Sequence, residues 1–331
     1  MTNTGGDHAR LPAPDGATVH DHGGILLKDA LAGAQRRLVQ AGVPSPAADA
    51  HLLAAHALGI ARRDLARRVV MGYALADSEA TRLEELLGQR VERVPLQHLT
   101  GSTGFRNLEL AVGPGVFIPR AETELSAGLA IEAASRLVTE GLEPLVVDLC
   151  TGSGAIALSV ADEVPQARVV AVELDPDAVA WAAENVRRLG LGDRVDLRAG
   201  DAIRADSHVL ADLTGAVDVL VANPPYIPPD AEPNEPEVRD HDPALALYGG
   251  GDDGLATARG VVAAAEQLLR PGGVFVMEHG DQQGPATRAL VSGPGWTDVN
   301  TQRDLAGRDR ALCARWAGAL QAGPNAHPAG G

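Results

Sequence analysis

Lysine is nearly absent from this chain: of its 28 basic residues only Lys28 is one, and the other 27 are arginines, a bias of genomic composition rather than of function. Cysteine is almost as scarce. Cys150 and Cys313 are too few for a disulfide framework or a thiolate metal cluster, so both are expected reduced and no metal is expected. No apolar run approaches the roughly 18 residues of a membrane span, and the first 24 residues lack the apolar core of a signal peptide. A cytoplasmic protein with no membrane partner is the expectation. Surplus positive charge is missing too. The net charge is −16, and residues 25–95 hold ten Lys/Arg against eight Asp/Glu, a balance of +2, so the remainder carries −18. Most of the molecule should repel a phosphate backbone, which argues against direct nucleic-acid binding.

What is present fits a globular protein of two domains: 331 residues, 45% of them hydrophobic. Residues 1–24, rich in Gly, His, Asp and Pro, read as a disordered tail, as do residues 321–331. Between them, 25–95 read as a helical bundle. Leu27, Leu31, Ala34 and Leu38 keep the spacing of one buried helical face, and Ser45-Pro46 looks like an N-cap followed by proline in the first turn. A third helix is expected near 61–72, and a fourth is expected to be capped at Asp77 or Ser78. The bundle's arginines Arg62, Arg63, Arg67 and Arg68 offer a docking face or a solvated helix surface. After Pro95-Leu-Gln-His-Leu-Thr-Gly101 the apolar period changes from helical to alternating, through Phe105, Leu108, Leu110 and Val112 before Gly113-Pro-Gly115, so 96–120 are expected to form a β-hairpin linker between the domains. Glu122 and Glu124 then suit the first turn of a helix running to about Val138.

Residues 121–320 alternate strand and helix, the signature of a parallel α/β sheet. Leu145–Leu149 reads as a strand, Cys150-Thr-Gly-Ser-Gly154 as a tight loop, and 155–164 as a helix. Gly152 and Gly154 let the backbone approach a ligand beside the positive end of that helix. Val169–Glu173 is a second strand, and its terminal acid, 19 residues after Gly154, can accept from the hydroxyls of a ribose. A third strand leads to Gly200-Asp201, where the acid can accept from an adenine amino group. Val217–Ala222 is a fourth strand that must stop at Asn223-Pro224-Pro225-Tyr226, because proline cannot donate to a ladder. The two prolines fix an extended backbone and offer no N–H, so this strand end is rigid and rich in acceptors. A planar NH₂ group can give one hydrogen to the Asn223 side chain and one to a backbone carbonyl, with Tyr226 against its face. The acidic loop 229–242 follows directly and is expected to border the entrance, either receiving a basic face of the partner or standing as a solvated flap. Arg270–Gly273 reads as a turn into the strand Val274–Met277, followed by Glu278-His279-Gly280, with two closing strands near 296–300 and 311–316. His279 reads as a hydrogen-bonded strand-end residue.

A glycine loop with an acid about 20 residues later also describes nicotinamide-binding domains. The order of sites along four strands, however, resembles the class I S-adenosylmethionine-dependent methyltransferases, in which Asn-Pro-Pro-Tyr marks enzymes that methylate planar nitrogens. The whole set, Pro95-Leu-Gln-His-Leu-Thr-Gly101, Ile118-Pro-Arg-Ala-Glu-Thr-Glu124, Asp148–Gly154, Asn223–Tyr226 and Glu278–Gly280, resembles the HemK/PrmC family of release factor glutamine N5-methyltransferases over about residues 25–318. Ala121, where the family usually has proline, and Cys150, where glycine is commoner, depart from the pattern, and neither must donate or accept.

That resemblance implies a Rossmann-like, seven-stranded, mostly parallel sheet preceded by a helical substrate-docking domain. It implies S-adenosylmethionine as cofactor, S-adenosylhomocysteine as product, and the glutamine of the Gly-Gly-Gln loop of class I peptide chain release factors as target of a monomeric enzyme. The residues expected at the cofactor are Asp148, Thr151, Gly152, Ser153, Gly154, Glu173, Asp201, Ala202 and Asn223. Asn223, Pro224, Pro225 and Tyr226 are expected to hold the substrate, with Asn223, Pro224 and Tyr226 carrying the reaction. A ribosomal-protein glutamine methyltransferase and a DNA amino-methyltransferase share the same local chemistry and stay open as alternatives.

Overall fold

The computed structural model describes residues 24–204 and 208–318, so the tails expected at 1–24 and 321–331 lie, Gly24 apart, outside the described residues. The chain divides into two compact units, Met1–Gln40 with Pro44–Leu87, and Ala41–Val43 with Gly88–Gly331.

The first unit is helical: α1 (Leu27–Gln40), α2 (Pro46–Ala57), α3 (Arg62–Val70) and α4 (Asp77–Val91), whose last turn belongs to the second unit. α1 buries Leu27, Leu31, Ala34 and Leu38, the face its spacing predicts. α2 starts at Pro46 as expected, although the Ser45 side chain makes no capping bond. The expected cap of α4 at Asp77 or Ser78 is replaced. Glu79 reaches back to accept from the Ala76 N–H at 2.9 Å, closing the first turn with a longer acid. α3 buries Leu65 alone.

After the last turn of α4 the second unit continues with a short helix, α5 (Leu96–Thr100), ahead of the alternating stretch, and a hairpin of β1 (Ser102–Phe105) and β2 (Leu108–Ala111). The hairpin turns at Arg106, with φ of +50°, and not at Gly113–Gly115. That glycine segment is pinned instead by Trp181, whose indole N–H donates to the Pro114 carbonyl at 3.1 Å. Glu124 stands in the first turn of α6 (Thr123–Thr139) as expected and also fixes the hairpin turn by accepting from the Arg106 N–H at 3.0 Å, whereas Glu122 makes no capping bond.

The remainder is α6 (Thr123–Thr139), β3 (Leu145–Leu149), α7 (Ala155–Glu163), β4 (Arg168–Glu173), α8 (Pro176–Leu189), β5 (Val195–Ala199), β6 (Val217–Ala222), α9 (Pro236–His241), α10 (Ala244–Leu247), α11 (Ala256–Leu268), β7 (Leu269–Glu278), α12 (Gly284–Leu290), β8 (Trp296–Arg303) and β9 (Asp309–Trp316). The sheet has seven strands in the order β5-β4-β3-β6-β7-β9-β8, parallel from β5 to β7, with β9 antiparallel to β7 and β8 antiparallel to β9. Its central strands are near-continuous Val, Leu and Ala because helices cover both faces. Arg270–Gly273, expected as a turn before a strand, lies inside β7 as a bulge. Val217 pairs with Leu269 and Val219 with Val274, so the extra residues loop out opposite Asp218.

Strand order reverses between β3 and β6, and ligands of such sheets sit at the carboxyl ends beside that switch. The register brings the ends together: Leu149 lies opposite both Val172 and Ala222, and Ala222 opposite Met277. The next residues, Cys150, Glu173, Asn223 and Glu278, therefore emerge side by side.

Candidate active site

Four strand ends open onto one cavity of about 460 Å³. Of the residues expected at the cofactor, Thr151, Gly152, Ser153, Glu173, Asp201, Ala202 and Asn223 line it, and so do Pro224, Pro225 and Tyr226. Asp148 and Gly154, expected to line the crevice, do not. Both are buried, Asp148 at the end of β3 and Gly154 at the end of the loop. Asp148 works from below: one carboxylate oxygen accepts from the Thr151 hydroxyl at 2.5 Å and from the Ala157 N–H at 3.1 Å, in the first turn of α7. Burial pushes its carboxyl up to about 7 against these bonds.

The loop from β3 to α7 takes left-handed backbone at Cys150, Gly152 and Gly154. A side chain at Gly152 would meet nothing within 4 Å, so the loop's open side faces the cavity. Glu173 holds the loop from β4, accepting from the N–H groups of Gly152 at 2.8 Å, Leu174 at 2.8 Å and Asp175 at 2.9 Å. Three bonds leave a carboxylate room for about one more donor. Asp201 accepts from the Ile203 N–H at 3.1 Å with one oxygen. Ile156, Val172, Ala178 and Ile203 form apolar walls between these acids.

On the other side of the switch, the Asn223 side chain donates to the Thr123 hydroxyl at 3.3 Å, which leaves its carbonyl oxygen to the cavity. The Tyr226 carbonyl accepts from Gln283 at 2.9 Å and the Ile227 carbonyl from Gly249 N–H, whereas the Pro224 carbonyl accepts from no group among the described residues. Two acceptors thus stand free at a strand end stiffened by two prolines. Gly249 backs this segment so closely that a Cβ there would lie 2.5 Å from the Pro225 carbonyl oxygen. Burial, then Glu278, pushes the Tyr226 phenol up to about 12, so it stays protonated.

Pro233, Asn234, Glu235 and Val238 of the acidic loop also line the cavity. Much of the loop's charge is spent internally, however: Glu237 pairs with Arg90 at 2.8 Å and Arg93 at 2.5 Å, and Asp242 with Arg120 at 2.5 Å. Asp230 is exposed, and the Glu232 carboxylate is largely exposed beside Arg239 at 3.6 Å.

Residues 29–101 match the PrmC N-terminal domain and residues 144–311 the Methyltransferase domain. A release factor glutamine methyltransferase of Streptomyces coelicolor is 48% identical over 293 residues, covering 88% of this chain and 98% of that protein. The chain belongs to the release factor glutamine methyltransferase family. Proteins of the same name from Bifidobacterium longum (42% identical, 88% of this chain, 99% of that one) and Deinococcus radiodurans (39%, 89% and 100%) are similar to it over nearly their own full length.

The methyl donor of such enzymes is S-adenosylmethionine, and the cavity of this methyltransferase fits it. Apolar walls between Glu173 and Asp201 suit an adenosine, and the lining acids Glu122, Glu173, Asp175, Asp201, Glu235 and Glu278 against Arg120 and Arg310 suit a cationic sulfonium. The same acids disfavour a diphosphate, and the first turn of α7 already serves Asp148, so a nicotinamide dinucleotide fits poorly.

Sequence reasoning missed three residues of the methyltransferase site. Thr123 and Glu278 stood inside quoted motifs without a role, and both line the cavity. Asn185 of α8 carried no signal at all. It is buried, accepts from the Ala111 N–H at 2.7 Å, and donates to the carbonyls of Ala111 and Ser153 at 3.0 Å, fastening the hairpin to the glycine loop. His279 is buried, with Nδ1 2.8 Å from the Gly280 carbonyl and its other ring nitrogen unpaired, and it does not line the cavity.

Proposed function

We propose that this chain transfers the methyl group of S-adenosylmethionine to the side-chain N5 of the glutamine in the Gly-Gly-Gln loop of class I peptide chain release factors. The observation that carries the reading is the pair of free acceptors at the end of β6, the Asn223 side-chain oxygen and the Pro224 carbonyl, set in a cavity that suits the methyl donor. A primary amide has two N–H groups in one plane. Two fixed acceptors and the Tyr226 ring hold it by both hydrogens and one face.

The cofactor supplies a methyl group already activated by its positive sulfur. The amide nitrogen is the poor partner, because its lone pair is delocalised into the carbonyl. Asn223 and Pro224 orient it and favour the positive charge that develops on it. Held in line, such a pair of reactants gains an effective molarity of roughly 10⁵–10⁸ M. The proton leaves afterwards to water, since the methylated nitrogen is acidic.

In the same reading Thr151, Gly152, Ser153, Glu173, Asp201 and Ala202 hold the cofactor, with Asp148 and Gly154 shaping their loop. Residues 25–95 form the docking domain, 96–120 the linker and 121–320 the catalytic domain. One glutamine cannot distinguish a release factor from other proteins, so a second contact surface is needed. The exposed arginines Arg62, Arg63 and Arg67 of α3 offer one.

The test is mass spectrometry of a purified release factor incubated with enzyme and S-adenosylmethionine. The expected result is one added methyl on the Gly-Gly-Gln glutamine. Transfer to another residue, to a ribosomal protein or to DNA would replace this reading.

A further inference from the structure

Asn223 can present either end of its amide to the cavity, and only one end helps. With the oxygen forward it accepts an N–H of the substrate amide. With the NH₂ forward it places donor against donor. What fixes the choice lies behind it. The Asn223 NH₂ donates to the Thr123 hydroxyl at 3.3 Å, that hydroxyl donates to one oxygen of Glu278 at 3.2 Å, and the Ser126 hydroxyl donates to the other at 3.3 Å. These spacings are at the long end of the hydrogen-bonding range. Glu278 is 2% exposed, Ser126 fully buried and Thr123 4% exposed. The register sets Asn223 beside Glu278, because Ala222 pairs with Met277, and the first turn of α6 brings Thr123 and Ser126 to them.

A hydroxyl has one proton. An ionised carboxylate can only accept, so Thr123 must give its proton to Glu278 and must then accept from Asn223. The amide oxygen is thereby turned to the substrate. Put a proton on Glu278 and the constraint goes. The acid can donate to Thr123, Thr123 can donate to the Asn223 oxygen, and the amide can turn its NH₂ into the cavity.

We infer that Glu278 is a positioning residue which, through the single proton of Thr123, sets which end of the Asn223 amide faces the substrate. This rests on the methyl-transfer reading above. It assigns work to two residues that act on the amide through Asn223. The charged and titratable groups that act on Glu278 are Arg310 of β9, Glu122 just before α6, and Tyr226 after β6. Burial, the largest influence, pushes the Glu278 carboxyl up to about 7, opposed by the Thr123 bond and then by Arg310. Loss of the oriented state therefore falls within an accessible pH range.

The experiment has two arms on the full-length protein. In the first, methyl transfer to a purified class I release factor is measured with Thr123→Val, Thr123→Ser and Glu278→Gln, and S-adenosylmethionine affinity is measured by calorimetry. Thr123→Val should lower kcat by about tenfold or more with cofactor affinity within about twofold, and Thr123→Ser should stay within about threefold of wild type. Wild-type kcat should fall below about pH 7, and Glu278→Gln should lack that acid limb whatever its absolute rate. In the second arm the Asn223 side-chain NH₂ is followed by ¹⁵N NMR, its signal identified by its loss in Asn223→Ala. That signal should shift with pH in wild type, stay still in Glu278→Gln, and lose its exchange protection in Thr123→Val. Wild-type kcat in Thr123→Val, or an acid limb and a titrating NH₂ signal that persist in Glu278→Gln, would overturn the inference. If wild type itself methylates no release factor, the functional reading fails, and the NMR arm still decides the orientation.

Discussion

The carboxylate of Glu173 accepts the N–H of Gly152 at 2.8 Å, joining the end of β4 to the loop after β3. The acid therefore builds the glycine loop as well as facing the cavity. Glu173→Ala should weaken S-adenosylmethionine binding by about tenfold or more, since three backbone N–H groups lose their acceptor together with any ribose contact. Calorimetry reads this directly. Glu173→Gln should fall between, because one amide oxygen can still accept while its NH₂ meets backbone donors. Unchanged affinity in both variants would leave Glu173 no part in the site.

Asn223→Ala should lower kcat by roughly 10²–10³, the usual scale for one preorganised polar contact, with little change in cofactor affinity. Single-turnover methylation alongside equilibrium binding separates the two. A rise in KM alone would mean that Asn223 binds the substrate without orienting it for transfer.

Cys150 holds φ of +60°, a backbone that glycine takes without strain and most other residues avoid. Cys150→Gly should stabilise the chain by up to about 1 kcal/mol, the relief of left-handed strain exceeding the added freedom of the unfolded glycine. Urea unfolding at fixed pH checks it. A loss of stability would show that the half-buried thiol contributes more packing than its backbone costs.

The sheet was legible because parallel strands covered on both faces are written as short apolar runs closed by an acid, a glycine or a proline, as in Val217–Ala222 before Asn223. The site residues that follow strands were legible for the same reason. Residues that act across the fold were not. Asn185 bonds Ala111 and Ser153 from the middle of an ordinary helix, and Thr123 meets Asn223 across a hundred residues. Local pattern cannot carry such pairings. The hairpin turn was misplaced because Gly113-Pro-Gly115 is the stronger turn signal, whereas Arg106 accepts a strained conformation that Glu124 and Glu163 hold from outside the hairpin. Nor does the sequence of the acidic loop show that Glu237 and Asp242 are bound to arginines distant in sequence.

Stability should carry a mark of Glu278 that its function does not. Burial raises its carboxyl from the ordinary 4.5 to about 7, so the folded chain binds this proton more tightly than the unfolded chain does. Between those two values the folded state holds more protons, and stability contributed by the group falls as pH rises. The contribution is full below about 4.5 and is lost as pH passes 7. Glu278→Gln carries no charge and has one donor end and one acceptor end, and so imitates the protonated acid at every pH. The variant should therefore match wild type near pH 5 and exceed it near pH 8 by on the order of 1–3 kcal/mol. Urea denaturation of both proteins at pH 5, 6, 7 and 8 tests this. Taking the difference removes histidines such as His98, which burial pushes down to about 4 and which titrates alike in the two proteins. A difference that stays constant across the series would mean that Glu278 keeps its charge in the folded state throughout, and the acid limb of catalysis would then have to come from another group.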